Sequence, residues 1–192
     1  RISSEFGFYG DTYFNPLISQ LIKFYKADSI EPIEFYGNCY NGNADLFTTM
    51  SYLPHVDTFP GADKDINPLN DYAFNLNVTK SDKVKTAFYS FNGKKSVCDW
   101  TPDDYDDHDR VRDRHKKIKA KNWRLLSSEN FQNYQLEYVA NIEYNSLILY
   151  PSHYWHSVYI KEDWFTDTDR VTFTGFFETK TTSSKTKKLG FG

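Results

Sequence analysis

Two residues with metal-binding side chains lie two positions apart in the segment LPHVD, residues 53–57. In an extended strand, residues i and i+2 project from the same face, so His55 and Asp57 can both reach one metal ion. An imidazole nitrogen together with a carboxylate oxygen suits a divalent first-row transition metal. A third ligand must then come from another part of the chain.

Histidine is scarce in this chain, which narrows the search for the third ligand to a short list: His55, His108, His115, His153 and His156. His108 and His115 lie in a strongly charged segment, where we expect them to be solvated. His153 and His156 follow an apolar, strand-like run. They are three positions apart, so in a continuous strand they face opposite sides, and only one can join the pair at 55 and 57. Two histidines and one carboxylate form the facial triad of non-haem Fe(II) oxygenases, which leaves metal positions open.

A second candidate site lies at Arg170-Val171-Thr172, where Arg170 and Thr172 share a strand face. A guanidinium group binds a carboxylate through two parallel hydrogen bonds, and a hydroxyl can add a third. A buried arginine needs an anionic partner, so the pair predicts a site for a carboxylate ligand. The alternative is an ion pair between Arg170 and Asp167 or Asp169 within a loop.

The order of these residues resembles that of the 2-oxoglutarate/Fe(II)-dependent oxygenase superfamily, in which a His-x-Asp pair, a distant histidine and an Arg-x-Thr or Arg-x-Ser pair follow one another. About a hundred residues separate Asp57 from His156, and fourteen lead from there to Arg170. The segments at 53–57, 145–156 and 170–177 are similar to the prolyl-hydroxylase-like branch. Its spacing after Pro-Ser selects His156 rather than His153, and the resemblance covers residues 45–178.

This resemblance implies that His55, Asp57 and His156 are the ligands of Fe(II). It also implies that Arg170 binds the distal carboxylate of 2-oxoglutarate and that Thr172 supports it. The implied reaction uses O2 to convert 2-oxoglutarate to succinate and CO2 and hydroxylates a C–H bond of a substrate. By analogy with the branch, that substrate is a peptidyl or free amino acid or another small molecule.

The chain also departs from this family. Where the strand after the first ligands usually carries a Gly-Gly-x-Thr-like stretch, residues 83–89 read KVKTAFY, without a glycine pair. A tyrosine often contacts the cosubstrate in the family. The chain has fifteen tyrosines, and Tyr72 and Tyr89 are the candidates for that role.

The pattern of apolar residues predicts a mainly β fold with flanking helices, and the family implies a double-stranded β-helix of the jelly-roll or cupin type. Apolar residues recur at helical spacing over residues 15–26, with Asn15 as the cap and Pro16 in the first turn. Strand-like runs then predict about eight strands with short gaps, at 32–36, 46–53, 72–78, 84–91, 136–142, 146–150, 156–160 and 170–178.

One charged segment interrupts the strands at residues 99–124. Its acidic first part and basic second part match the dipole of a helix. We expect a solvated insertion that is helical in its second half, with a lid over the active site as the alternative. The tail, 179–192, is rich in Ser, Thr and Lys and is expected to be mobile. The whole chain, 1–192, reads as a single domain.

The bulk composition excludes several classes of function. A net charge of −3 gives no general attraction to nucleic acid or to an anionic membrane, and no apolar run is long enough to span a bilayer. The two cysteines, Cys39 and Cys98, are expected to be buried thiols in a reducing cytoplasm. Two alternatives to an oxygenase stay open: a cupin-like metal protein that acts as an isomerase or ligand-binding module without redox turnover, and an interaction domain with a degenerate site.

Overall fold

The computed structural model describes residues 11–40, 54–57, 71–115, 133–161 and 164–180. These residues form two α-helices, a short 3-10 helix at Val97–Asp99 and seven strands: α1 Asp11–Tyr25, β1 Ser29–Tyr40, β2 Asp71–Asn77, β3 Lys85–Phe91, α2 Pro102–His115, β4 Tyr134–Asn141, β5 Leu147–Pro151, β6 His156–Tyr159 and β7 Arg170–Lys180. The prediction of a mainly β fold is confirmed. Each of these strands overlaps a predicted one, while the predicted strand at 46–53 lies outside the described residues.

The strands form two antiparallel sheets. The larger has the order β1-β7-β2-β5 and the smaller the order β4-β3-β6, which an isolated bridge from His55 to His156 extends beyond β6. From β4 onward, successive strands alternate between the two sheets. This arrangement is that of a β-sandwich of the jelly-roll type.

Helix α1 covers the outer face of the larger sheet. Leu21 of the helix packs on Ile30, Phe74 and Phe177. The helix ends at Tyr25 because Lys26 adopts a left-handed conformation, with φ of 51°, and two backbone bonds close its last turn. The predicted start is wrong. The helix already includes Asp11, so Asn15 lies inside it and does not cap it.

Helix α2 covers the outer face of the smaller sheet. Val111 of the helix belongs to a cluster with Tyr89, Phe91 and Trp155, and the His108 ring lies 5.2 Å from the Trp155 ring. The prediction of a solvated segment that is helical in its second half is therefore wrong about where the helix lies, and one face of the helix is buried although most of its described side chains are exposed. The helix begins at Pro102, in the acidic part, and buries one face. The described part of the segment lies on the outside of the sheet, and residues 116–124 lie outside the described residues.

A third apolar cluster lies between the sheets, at the end remote from His55. Val84, Ile142, Ile160 and Phe165 are buried there, with Ile148 and Val158 against them. The rest of the space between the sheets is bordered by many polar side chains: Asn75, Asn77, Arg170, Thr172, Thr174, His156 and Asp57. A β-sandwich normally fills this space with apolar side chains.

The cysteines and the end of the last strand both differ from the sequence-based expectations. Cys39 is exposed and Cys98 half-buried, and both are free thiols, so the expectation of two buried thiols is wrong. Strand β7 includes Thr179 and Lys180, which were expected in the tail, and residues 181–192 lie outside the described residues. Within the described part of the chain, no helix has the length and apolar character needed to cross a bilayer.

Candidate metal centre

Backbone pairing brings His55 and His156 face to face. The N–H of each donates to the carbonyl of the other at 2.9 Å, so they form a directly opposed antiparallel pair with both side chains on one face. Their ring centroids are 4.5 Å apart. Two residues along, the N–H of Asp57 donates to the carbonyl of Ser152 at 2.9 Å. The i and i+2 alternation then puts the Asp57 carboxylate beside both rings.

The three side chains converge on one small volume. His55 Nε2 lies 3.9 Å from Asp57 Oδ1, and His156 Nε2 lies 3.3 Å from Asp57 Oδ2. One potential ligand atom from each residue lies within 4.8 Å of the others. An ion about 2.1 Å from each atom would need separations of about 3 Å between neighbouring ligands, so only small movements separate this arrangement from a coordinated one.

Burial differs across the three residues. The side chain of His156 is 6% exposed and that of Asp57 12%, whereas that of His55 is 42% exposed. The cluster therefore opens to solvent on the His55 side. Small ligands can approach the volume between the three residues from that side.

The hydrogen bonds of His156 define which of its nitrogens is available. Its Nδ1 lies 2.9 Å from the carbonyl oxygen of Tyr154, which can only accept, so Nδ1 carries the hydrogen and Nε2 has a free lone pair. Burial, with a smaller contribution from His55, lowers the pKa of His156 to about 3. The imidazole is neutral at neutral pH, and its contact with Asp57 is not an ion pair.

The opposing oxygen also presents a lone pair. Asp57 Oδ2 is buried and accepts no hydrogen bond from the described residues. Burial raises the pKa of Asp57 to about 6, against an opposing effect of His55, so the carboxylate is mostly ionised at neutral pH. Two lone pairs facing each other at 3.3 Å repel unless a cation or a proton lies between them. The donor set of two imidazoles and one carboxylate fits a divalent transition-metal ion such as Fe(II).

Residues 95–97 form hydrogen bonds with the segment that precedes His156. Ser96 Oγ lies 2.8 Å from His153 Nδ1, and both residues are buried. The N–H of Val97 donates to the carbonyl of His153 at 3.2 Å, and the N–H of Trp155 to that of Lys95 at 3.3 Å. These bonds fix residues 152–156, which position both Asp57 and His156. His153 thus lies outside the cluster and takes part in positioning it.

The second predicted pair lies on the inner face of the larger sheet. Arg170 is 3% exposed and Thr172 1%, and Arg170 Nη1 donates to Thr172 Oγ1 at 3.3 Å. Thr174 shares their face by strand alternation and donates to Asn75 Oδ1 at 2.6 Å. The guanidinium is therefore buried beside hydroxyl and amide groups in the space between the sheets.

A chain of hydrogen bonds runs across this inner face. Asn38 donates to Thr174 at 2.9 Å, Thr174 donates to Asn75, and Asn75 Nδ2 donates to Tyr150 Oη at 2.9 Å. The Tyr150 ring lies 4.6 Å from the His156 ring. Tyr150 therefore links the polar inner face to the cluster of His55, Asp57 and His156.

Sequence reasoning missed Tyr150 and guessed two other tyrosines. Tyr72 packs on Tyr25 of α1, at 4.2 Å between centroids, and Tyr89 belongs to the cluster under α2. Both side chains are on outer faces and point away from the space between the sheets. Tyr150 lies in a predicted strand six residues before His156, but only the strand register tells which of its residues face inward.

No protein-family model and no curated protein matches the chain. One solved structure with some similarity is a novel N-substituted L-amino acid dioxygenase from Burkholderia ambifaria AMMD, at 15% sequence identity and a TM-score of 0.40. The match covers 82% of this chain and 57% of that one, so the chain spans little more than half of that structure's length.

Proposed function

We propose that this protein is an Fe(II)- and 2-oxoglutarate-dependent dioxygenase that hydroxylates its substrate. The observation that supports the proposal most strongly is the facing pair of lone pairs on Asp57 Oδ2 and His156 Nε2, 3.3 Å apart, with His55 beside them. Three protein ligands on one side of an ion leave the other positions for a bidentate cosubstrate and O2. The open His55 side gives these small molecules a route in.

The polar inner face of the larger sheet would form the binding site for the cosubstrate. A five-carbon dicarboxylate that contacted the ion at one end would extend into the space between the sheets. There the guanidinium of Arg170 would hold its distal carboxylate, with Thr172 Oγ1 next to it. Tyr150 and Asn75 would line the stretch between the two ends. The order of the strands in the two sheets suits a double-stranded β-helix with the ion at one mouth.

When bound, Fe(II) and 2-oxoglutarate supply the oxidising chemistry, in which O2 and 2-oxoglutarate give succinate, CO2 and one hydroxyl group on the substrate. The residues of the chain bind and orient. His156 offers Nε2 because Tyr154 retains the hydrogen on Nδ1. Asp57 would hold the ion and neutralise part of its charge. The apolar cluster around Val84 and Ile160 closes the far end against water. The described residues would form one oxygenase domain, acting on a small molecule or peptide.

Succinate formation is the direct test of this proposal. The protein is supplied with Fe(II), 2-oxoglutarate, ascorbate and air, and succinate is measured beside anaerobic binding of Mn(II) and 2-oxoglutarate. We expect slow turnover without substrate, lost in His55→Ala together with Mn(II) binding. In Arg170→Ala we expect weaker 2-oxoglutarate binding with Mn(II) binding retained. Arg110→Ala, on the exposed surface of α2, is the matched control and keeps both.

The outcomes separate this proposal from its alternatives. Binding of Mn(II) without any binding of 2-oxoglutarate would overturn the oxygenase proposal in favour of a cupin-like, non-redox metal protein. Failure to bind Mn(II) at all would leave the interaction domain with a degenerate site. Binding of both without turnover would lead to the same assay with amine and amino-acid substrates added.

A further inference from the structure

Strand β4 contains a β-bulge beside the candidate metal centre. Phe88 of β3 pairs with Tyr138, but the next residue, Tyr89, pairs with Leu136, so Glu137 is an extra residue without a partner. A bulge interrupts the regular pairing of the strand and changes the direction of its side chains. Such features are common next to active sites because they aim a side chain that regular pairing would point elsewhere.

This bulge places two consecutive side chains on one face. Glu137 Oε1 accepts a hydrogen bond from Ser90 Oγ at 2.7 Å. Tyr138 stacks on Phe88, with 6.5 Å between ring centroids and 21° between ring planes. Phe88 and Ser90 are two residues apart in β3 and so share a face. In a regular strand, Glu137 and Tyr138 would point in opposite directions.

That shared face is also the face of the metal centre. Phe88 pairs with His156 across β3 and β6, and their rings lie 6.4 Å apart. Tyr138 is 63% exposed. The four residues Phe88, Ser90, Glu137 and Tyr138, which we call the bulge platform, thus extend from solvent to the metal-binding histidine, with the Phe88 ring between.

The chemistry of the platform complements a cation. A carboxylate forms strong hydrogen bonds with ammonium and guanidinium groups, and an exposed tyrosine ring attracts them through its π face. Besides Ser90, the carboxylate has a cationic partner in Lys95, whose Nζ lies 3.7 Å from Glu137 Oε2. Its side chain is 64% exposed, so this ion pair is weak and a ligand cation can replace it.

We propose that the bulge platform binds the ammonium or guanidinium group of the substrate and so selects a cationic substrate. The inference rests on the proposed oxygenase function, because it assigns the substrate of that site. Since the Phe88 ring separates Glu137 and Tyr138 from His156, the cationic group lies at a distance from the carbon that is oxidised. The substrate class is therefore an amine or basic amino acid with an aliphatic chain between these two points.

The chain contains its own matched control. Glu143-Tyr144 repeats the dipeptide Glu137-Tyr138 six residues later, between β4 and β5. Tyr144 is 52% exposed and has Lys80 Nζ 5.3 Å from its ring centroid, so it already has a cationic neighbour. Changes at 143 and 144 alter the same residue types outside the platform.

The test compares two ligands that differ by one charge. Nα-acetyl-L-lysine amide and Nα-acetyl-L-norleucine amide are titrated calorimetrically into the full chain with Mn(II) and 2-oxoglutarate, where no turnover occurs. We expect the lysine compound to bind at least about tenfold more tightly. Glu137→Gln should lower the affinity for the lysine compound about tenfold, and Tyr138→Ala should lower it about two- to fivefold. Neither change should alter the affinity for the norleucine compound. Glu143→Gln/Tyr144→Ala should keep the native preference.

Equal binding of the two compounds by the native protein would overturn the proposal. So would a lysine preference that survives in Glu137→Gln/Tyr138→Ala, or one that the 143/144 variant also loses. The thermal midpoint of each variant shows that it folds, and the conservative Glu137→Gln change alone suffices for the comparison. Succinate formation is measured separately. Turnover without a lysine preference removes only the platform proposal, and a platform-dependent preference without turnover removes only the oxygenase proposal.

Discussion

The two faces of the larger sheet differ in kind. On the outer face, Phe74 and Phe177 are buried under α1 in an apolar cluster. On the inner face of the same strands, Asn75, Thr174 and Arg170 form hydrogen bonds in a partly or fully buried setting. Burying polar groups costs free energy unless each is hydrogen-bonded, whereas burying aromatic side chains stabilises the fold. The outer face therefore provides stability, and the inner face has a composition that stability alone does not favour.

The smaller sheet repeats the contrast. Its outer face packs Phe91 and Trp155 with Trp100 under α2, and its inner face presents His156. A sandwich that served only for stability would place its apolar side chains between the sheets. Here two of the three apolar clusters lie on the outer faces, and polar side chains border much of the space between the sheets. Mutations on the two faces should then separate folding from binding.

The largest effect is expected on the outer face. Phe91 is fully buried, and truncation to alanine leaves a cavity among Trp100, Tyr134 and Trp155. Phe91→Ala should lower the free energy of unfolding by about 3–5 kcal/mol and the thermal midpoint by roughly 10 °C. Metal affinity below that midpoint should stay near the native value. Thermal denaturation and Mn(II) titration at low temperature measure the two effects.

Phe24→Ala is the matched control for that change. Phe24 is 73% exposed, so its truncation should change the free energy of unfolding by less than about 0.5 kcal/mol. A Phe91→Ala protein of native stability would contradict the role given to the outer face.

The inner face should give the opposite pattern with Asp57→Asn. The amide hydrogen of asparagine can donate to His156 Nε2, where two lone pairs now face each other at 3.3 Å. We expect the stability of the metal-free protein to be kept or raised by about 1 kcal/mol. Metal affinity should fall by more than about 100-fold, because a ligand is lost rather than one of its supports. Urea denaturation in the presence of a chelator measures the stability of the metal-free protein, and Mn(II) titration measures the metal affinity. A native metal affinity would exclude Asp57 as a ligand.

The pH dependence of metal binding should report the same carboxylate. Because burial raises the pKa of Asp57 to about 6, protons compete with the metal below that pH. Protonation of Asp57 should contribute about a tenfold fall in the apparent affinity for Mn(II) per pH unit below about pH 6. His156 gives little competition over this range, because its pKa is lowered to about 3. An affinity that falls only below pH 4 would mean that Asp57 has an ordinary pKa.

The contribution of Asp57 to the stability of the metal-free protein should depend on pH in the opposite direction to its contribution to metal binding. The pKa of Asp57 is higher in the folded than in the unfolded chain, where it is about 3.8. Protonation therefore stabilises the fold. This contribution is fully present below about pH 3.8 and is lost as the pH rises through about 6. His156 acts oppositely, since its contribution is present above about pH 6.5 and is lost as the pH falls through about 3. Asp57→Asn should remove only the first contribution in pH-dependent urea denaturation.

Strand positions could be predicted from the sequence because period-two alternation and turn residues are local signals. The turn at Asn92-Gly93, for example, has positive φ at both residues, 50° and 78°, as this dipeptide favours. The convergence of His55, Asp57 and His156 followed from strand alternation and from the family resemblance together. The start of α1 could not be predicted from the sequence, because a proline such as Pro16 can lie in the first turn of a helix or, as here, further inside it.

Face assignments and bulges could not be predicted, because both depend on pairing between distant strands. His108 was expected in solvent, yet its ring packs 5.8 Å from that of Phe91. The charged residues around it hide the single face of α2 that is buried. The extra residue at Glu137 has no local signal either, since its effect arises only opposite Phe88 and Tyr89. Tyr150 is distinguished from the other tyrosines only by its register with Ala73 on the inner face.

The smallest expected effect tests that register. Tyr150→Phe keeps the ring against His156 but removes the oxygen that accepts from Asn75 Nδ2. The amide then loses one partner, so we expect a loss of stability of only about 1 kcal/mol. Mn(II) affinity should be unchanged, whereas the KM for 2-oxoglutarate should rise several-fold, because in the proposed function Tyr150 lines the space that the cosubstrate occupies. Tyr89→Phe, on the outer face, loses a comparable hydrogen bond from Ser157 and should leave that KM unchanged. Equal effects of the two changes would mean that the inner face does not hold the cosubstrate along Tyr150.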